Sequence, residues 1–406
     1  MYISLYLFRY NEIYMISIED ALQAVITSSK EISKEIILPI EKVGNSTLYR
    51  DIYSPINMPP FRQSAMDGYA LNLHNDFSYL LIDEVKAGDG HQPILKQGEA
   101  IRIFTGAAVP DSANAVIMQE KVIINKNNIT VTSQLSNDYN IRAIGEQVKK
   151  GELALKKGTK LTPAAIGYLS SLGITEVSVY KKPSIALITT GNEIVEPGEA
   201  LDYGKIFESN SKMLNSALLH LGFEDISIHK IEDNYEETYS KLQNVIIEHD
   251  LVIISGGISV GDYDFVGKAL NALNIEEIFY KVNQKPGKPL FFGKNDNTLV
   301  FALPGNPAAA LTCFYIYVYA ALQRLNGLKG DGLLNVSAKS ASNFVKNGNR
   351  PQFLKAIYKE GKVTILEGQS SAMLQTFAIS NALVKMAGDV EQIHINDMVE
   401  VILLPF

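Results

Sequence analysis

The chain has 406 residues, with 37 Lys and Arg against 44 Asp and Glu and a formal charge of −7. That length suggests roughly two to four domains. A composition of 46% hydrophobic and 20% charged residues excludes wholesale disorder, and the acidity gives no global attraction to nucleic acid or to an anionic membrane surface. The single cysteine, Cys313, excludes an intrachain disulfide, a four-cysteine zinc site and an iron–sulfur cluster, and suits a reducing compartment such as the cytoplasm.

The opening MYISLYLF is apolar, but no basic segment precedes it and no small-residue cleavage site follows, which argues against a signal peptide. An amphipathic helix pattern starts only after Met15, with Ser17 as N-cap and Asp20 at the third helical position. Residues 1–14 are therefore expected to be dispensable. Residues 15–50 read as a helix followed by extended chain. Residues 51–140 are short alternating runs separated by Gly, Asn and Pro, the pattern of a β-rich domain. Residues 141–180 read as a hairpin and then a helix, with Thr162 as N-cap, Pro163 in first position and Gly173 past the end. Together with 15–50 they are expected to form one discontinuous linker domain.

Residues 181–327 alternate strands with helices, the signature of a doubly wound parallel sheet covered on both faces. IEEIFYKV and TLVFALPG read as strands, with KPGKP as a loop between them. The apolar run Ala308–Leu322 is shorter than the roughly 20 residues a spanning helix needs, and reads as a buried helix. Residues 328–406 return to short alternating runs, a small β-barrel-like domain. The expected fold class is multidomain α/β plus β: β-rich N-terminal regions, a central doubly wound α/β domain, and the C-terminal β domain.

In an open α/β sheet, ligands bind beyond the carboxyl ends of the strands, and here those ends carry unusual residues. The loop SGGISVGDYD has the composition of an anion cradle, with Gly256, Gly257, Ser259 and Gly261 letting backbone N–H groups approach a phosphate. LPGNP, with Gly305 and Asn306 before a helix, is a second candidate cradle. KPGKP sets Lys285 and Lys288 beside glycine as an anion clamp. Glu193, Asp233, Asp262 and Asp264 fall at adjacent strand ends. One such carboxylate is usually a helix cap; several converging on a phosphate site suggest Mg²⁺. No G-x-G-x-x-G follows a strand and no G-x-x-x-x-G-K-[ST] occurs, which disfavours a dinucleotide fold and excludes a P-loop. Cys313, inside the apolar helix, reads as a buried core thiol. In the β-rich part, SAMDGYA places Asp67 beside Ser64, and RIFTG places Thr105 after a short strand. Each alone is the kind of turn any β domain contains.

Taken together and in order, SAMDGYA, RIFTGAAVP, IRAIGEQV, TTGNEI, IFESN, SGGISVGDYD, KPGKP, LPGNP and SSAMLQTFAISNAL resemble the molybdopterin molybdenumtransferase family, bacterial MoeA, whose eukaryotic relatives include gephyrin. The resemblance runs from about Met15 to Phe406. It implies an elongated homodimer of four-part subunits. The implied reaction is Mg²⁺-dependent: adenylylated molybdopterin and molybdate combine, the dithiolene receives molybdenum, and AMP leaves. It also implies transient contact with the adenylyltransferase that supplies the substrate. Carried over by motif, Asp67, Thr105, Glu193, Asp233, Asp264, Lys285 and Lys288 are cleft residues, and Arg350 in NGNRPQF matches a basic position. Lysines and backbone N–H groups would hold phosphate and the molybdate oxyanion, and carboxylates would hold Mg²⁺. Departures are Asn192 where the family usually has Asp, Glu208-Ser209 for Asp-Thr or Asp-Ser, Ser211 for a frequent Arg, and Ala309 after LPGNP for Ser or Val. Three alternatives are an adenylyltransferase on the same α/β scaffold, a tungstate-using homologue, and a non-catalytic gephyrin-like scaffold. The additional domains argue against the first, and the intact carboxylates and lysines against the last.

Overall fold

The computed structural model describes residues 15–258, 265–330 and 332–406. The expectation for residues 1–14 therefore lies outside the described residues, as do Ser259, Gly261, Asp262 and Asp264. By internal contacts the chain divides into two units: residues 37–43 with 48–178, and residues 1–36 and 44–47 with 179–406.

The first helix, α1 (Ile18–Ser28), belongs to the second of these units. Ser17 caps it: its Oγ accepts from the Asp20 N–H at 3.0 Å and donates to the Asp20 carboxylate at 2.7 Å. Ile18, Ala21 and Val25 recur at helical spacing and are buried.

The β-rich unit is built on six strands, β1 (Gly68–Leu71), β2 (Ser78–Val85), β3 (Glu99–Ile103), β4 (Ala115–Met118), β5 (Val122–Asn125) and β6 (Asn128–Val131), in the order β4-β1-β3-β2-β6-β5. Strand alternation sends Ala70, Ile101 and Ile103 to a core on one face and Tyr69, Leu71 and Ala100 to a core on the other. The same unit holds α2 (Pro163–Ser171). Thr162 Oγ1 accepts from the Ala165 N–H at 3.3 Å, Pro163 opens the helix, and Gly173 follows it with φ +78°.

In the other unit, the α/β domain runs β7 (Ile185–Thr190), α3 (Asn210–His220), β8 (Ile226–Ile231), α4 (Tyr235–Glu248), β9 (Leu251–Ser255), α5 (Phe265–Ala272), β10 (Glu276–Lys281), β11 (Pro289–Lys294), β12 (Leu299–Leu303) and α6 (Pro307–Leu325). The sheet order is β8-β7-β9-β12-β11-β10. Alternation again splits the core. Ile185, Leu187, Leu251 and Ile253 meet α1, α3 and α6 on one face, while Ala186, Ile188, Val252 and Ile254 meet α4 and α5 on the other.

The sheet departs from the all-parallel expectation. β8, β7, β9 and β12 are parallel, but β11 is antiparallel to both β10 and β12. PLFFGK, the run after KPGKP, is the strand that sequence reading missed. The connection 282–288 is shorter than the dozen or so residues a parallel crossover needs, so the chain can only fold back on itself there.

Helix α6 carries a π-helical turn at Phe314–Val318. Long and apolar enough by composition to cross a membrane, it has 83% of its apolar window buried inside the protein. The C-terminal strands β13 (Asn335–Ser340), β14 (Gln352–Lys359), β15 (Lys362–Ile365), β16 (Ala382–Met386) and β17 (Met398–Leu403) form a closed barrel in the order β13-β15-β14-β16-β17. Phe353, Leu383 and Ile402 of the barrel share a core with α6.

Candidate functional site

The carboxyl ends of β7, β9 and β12 open into a cleft of about 500 Å³. Thr190, Glu193, Asp233, Gly256, Gly257, Gly305 and Asn306 line it, so the parallel part of the sheet brings together residues distant in sequence. After Ser255 the chain turns through Gly256 and Gly257 with φ +91° and +65°. A Cβ on Gly257 would lie 2.5 Å from Thr190 Oγ1 and 2.7 Å from Val266 Cγ2, so only glycine lets the backbone sit this low. Thr190 Oγ1 is itself buried without a hydrogen-bond partner among the described residues.

Asn192 and Asp233 lock two strand ends reciprocally. The Asp233 N–H donates to Asn192 Oδ1 at 3.1 Å, and the Asn192 N–H donates to Asp233 Oδ2 at 3.3 Å. Asn192 thus orients Asp233 without adding a second charge beside it. The Glu193 carboxylate folds over Gly191, its Oε2 2.7 Å from where a Cβ would stand. Glu193 and Asp233 offer oxygen ligands, the donor chemistry of Mg²⁺. Among the described residues no group of three or more His, Cys, Asp or Glu side chains could hold a metal ion. Both line the cleft, and an ion held there would have to draw the rest of its shell from phosphate oxygens and water.

Sequence reading missed the residue that ties the two glycine turns together. Asn210 Nδ2 donates to Ser255 Oγ and to the Gly305 carbonyl, each at 2.8 Å, and its buried Oδ1 has no partner among the described residues. Just before it, the buried Glu208 accepts from the Ser211 N–H at 2.8 Å and the Ser211 hydroxyl at 2.6 Å. These two departures from the family pattern are therefore partners of each other at the start of α3.

LPGNP does not form the open helix-start cradle expected of it. The Ala308 and Ala309 N–H groups donate to the Ser371 carbonyl at 3.1 and 3.3 Å, and Asn306 Nδ2 donates to Ser371 Oγ at 3.0 Å. The SSAML loop of the barrel domain already occupies the first turn of α6. Gly305 and Asn306 still face the cleft as its wall.

KPGKP docks against the barrel. The Lys285 N–H donates to the Pro351 carbonyl and the Phe353 N–H to the Lys285 carbonyl, both at 2.9 Å. The Arg350 guanidinium donates to the Gln284 carbonyl, also at 2.9 Å. Lys285, Lys288 and Arg350 therefore lie on adjoining loops, none of them among the residues that line the cleft, although Lys288 directly precedes Pro289 of its wall. Cys313 is fully buried, and burial pushes its thiol up to about 12, so it is inert.

In the β-rich unit, Thr105 donates both its N–H and its hydroxyl to Asp67 Oδ1, each at 2.7 Å. Those bonds, the backbone one foremost, hold the exposed Asp67 carboxyl below the usual carboxylate range, with a smaller contribution from Arg102. Ser64 is different: it is fully buried, and its hydroxyl donates to the Met66 carbonyl at 2.7 Å. It braces the turn that presents Asp67 and does not face a ligand.

A larger groove, of about 1020 Å³, opens at the amino ends of the parallel strands, where Lys34, Lys181, Glu248, Asp250 and Asp296 mix both signs of charge. It has no glycine turn and lies at the end of the sheet where α/β folds rarely bind ligands.

Three family models match successive parts of the chain. The MoeA N-terminal region (domain I and II) covers residues 16–173, a probable molybdopterin binding domain covers 186–324, and the MoeA C-terminal region (domain IV) covers 337–404. The chain is 36% identical over 357 residues to the molybdopterin molybdenumtransferase of Haemophilus influenzae, covering 86% of this chain and 88% of that one. It is 30% identical over 401 residues to that of Staphylococcus epidermidis, covering 96% and 95%. The molybdopterin biosynthesis MoeA protein of Pyrococcus horikoshii is similar in structure, with a TM-score of 0.82 at 29% identity, over 96% of this chain and all of that one.

Proposed function

The chain belongs to the molybdopterin molybdenumtransferase (MoeA) family, and from that premise we propose that it moves molybdenum from molybdate onto adenylylated molybdopterin with release of AMP. The observation that carries this reading is the glycine-lined cleft bearing two carboxylates, whose wall includes Pro289, the residue that directly follows Lys288 in the two-lysine loop.

Each part has a physical role. The Gly256-Gly257 turn lets the phosphates of the substrate approach the backbone over Thr190. Lys285 and Lys288, with Arg350 beside them, bind the tetrahedral oxyanion through charge-assisted hydrogen bonds. Glu193 and Asp233, with Asp262 and Asp264 from the segment between them and α5, would hold Mg²⁺. When bound, that ion would polarise the phosphoanhydride as a Lewis acid. Asn192 holds the Asp233 carboxylate in place by hydrogen-bonding it to the neighbouring strand end. Asp67, ionised and fixed by Thr105, supplies a further carboxylate. The reading includes a two-fold homodimer in the cytoplasm, where the lone reduced thiol is at home, with the adenylyltransferase that supplies the substrate as a transient partner.

The test uses purified protein, adenylylated molybdopterin and Mg²⁺, with AMP followed by chromatography. Molybdate-dependent AMP release is expected. Pyrophosphate release in a parallel mixture of protein, ATP, Mg²⁺ and molybdopterin would instead assign the protein to adenylylation, and a faster rate with tungstate would reassign the oxyanion.

A further inference from the structure

The loop that carries Lys285 and Lys288 rests on a buried polar pair that the chemistry above does not use. Gln284 and Tyr317 are both 0% exposed, within a core of Phe, Leu and Tyr side chains. The Tyr317 hydroxyl donates to Gln284 Oε1 at 2.5 Å. Gln284 Nε2 donates in turn to the Gly287 carbonyl at 3.1 Å, with Cys313 Sγ at 3.5 Å. KPGKP therefore closes over the side chain of the residue that precedes it. Gly287, at φ +86°, makes the closure possible: a Cβ there would stand 2.5 Å from Cys313 Sγ and 2.9 Å from Gln284 Nε2. Tyr317 itself sits in the π-helical turn of α6, a local widening that often accompanies functional geometry.

Burying an amide and a phenol costs free energy unless each finds a partner, and replacing both by apolar groups of the same shape is close to neutral. What the pair adds over Met and Phe is therefore direction. An apolar floor lets the loop settle in several packings, whereas the hydrogen-bonded floor selects one. We propose that Gln284, braced by Tyr317, is a positioning residue for the oxyanion step: it fixes KPGKP so that the two ammonium groups are already placed when the tetrahedral dianion arrives. This inference rests on the reading that Lys285 and Lys288 hold molybdate.

The experiment compares wild type, the double variant Gln284→Met/Tyr317→Phe, and Lys288→Ala. Each is assayed for AMP release at saturating adenylylated molybdopterin over a range of molybdate concentrations, and melted by circular dichroism. The double variant should melt close to wild type, with KM for molybdate raised about tenfold and kcat little changed. A purely structural pair would leave KM alone. Unchanged KM in the double variant, with KM raised in Lys288→Ala, overturns the inference and spares the lysine assignment. Unchanged KM in Lys288→Ala removes that assignment and the inference with it. Should the double variant fail to fold, Tyr317→Phe, which removes one oxygen, is read by the same KM criterion.

Discussion

At the scale of single residues, the two best-defined groups are Asp67 and Glu193. Thr105 lowers the pKa of Asp67 through two hydrogen bonds to one oxygen. A depressed carboxyl favours the fold above its unfolded value and loses that contribution as pH falls through its folded value. Asp67 is therefore ionised throughout the neutral range, and a loss of activity on acidifying to about pH 5 would belong to another group. In Thr105→Val the hydroxyl donor is gone, so the Asp67 titration midpoint, read by carboxyl ¹³C NMR, should move up toward the ordinary Asp value. A midpoint that stays put would mean the Thr105 hydroxyl has no hold on the carboxylate. Glu193→Ala should cut AMP release at least about tenfold, roughly 1.4 kcal/mol of barrier, with an unchanged melting curve. Wild-type rates would leave Glu193 as a lid over Gly191 and nothing more. Both residues stood out in the sequence, because carboxylates at strand ends and beside a glycine turn are visible as pattern. Asn210 and Gln284 did not stand out. An amide reveals its value only through what lies across from it, and those partners are 45 and 95 residues away for Asn210, while the Tyr317 hydroxyl that Gln284 accepts from is 33 away.

At the scale of elements, the capped helices and the parallel strands followed from local rules, since caps, apolar periodicity and short punctuated runs are all near in sequence. Two features did not follow. β11 was hidden because KPGKP reads as loop and the polar NDN turn follows soon after, leaving a short apolar run that no periodicity distinguishes. The capping of α6 by Ser371 was hidden because the cap comes from the barrel domain, 63 residues beyond Ala308. The Gly256-Gly257 turn allows a test of its own. Gly257→Ala meets Thr190 Oγ1 and Val266 Cγ2 as well as an unfavourable φ, whereas Gly361→Ala, at φ +77° in a barrel hairpin, meets nothing within 4 Å. Both should lower the melting temperature, Gly361→Ala by the backbone cost of about 1 kcal/mol alone. Only Gly257→Ala should also abolish AMP release. Equal melting losses with normal AMP release in both would show that the turn tolerates a side chain and is no cradle.

At the scale of the whole molecule, Asp67 and Thr105 fall in one unit of the chain and the cleft in the other. We propose that in the two-fold dimer the β-rich part of one subunit serves the cleft of its partner, which would give two equivalent composite sites. Asp67→Ala and Glu193→Ala, each strongly impaired alone, should then complement one another on subunit exchange. One site of a mixed dimer carries both lesions and the other carries none, so random exchange should restore roughly a quarter of all sites. No recovery, with exchange verified by mass spectrometry, would place every site within a single chain. The transfer itself is read most directly from stoichiometry in a single turnover. Protein loaded with adenylylated molybdopterin and Mg²⁺ is mixed with molybdate, and AMP and pterin-bound molybdenum are counted in the same sample. The two should appear together, one for one, and neither should form when molybdate is withheld. AMP released at the same rate without molybdate, or with no molybdenum bound to the pterin, would contradict a molybdenum-transferring site.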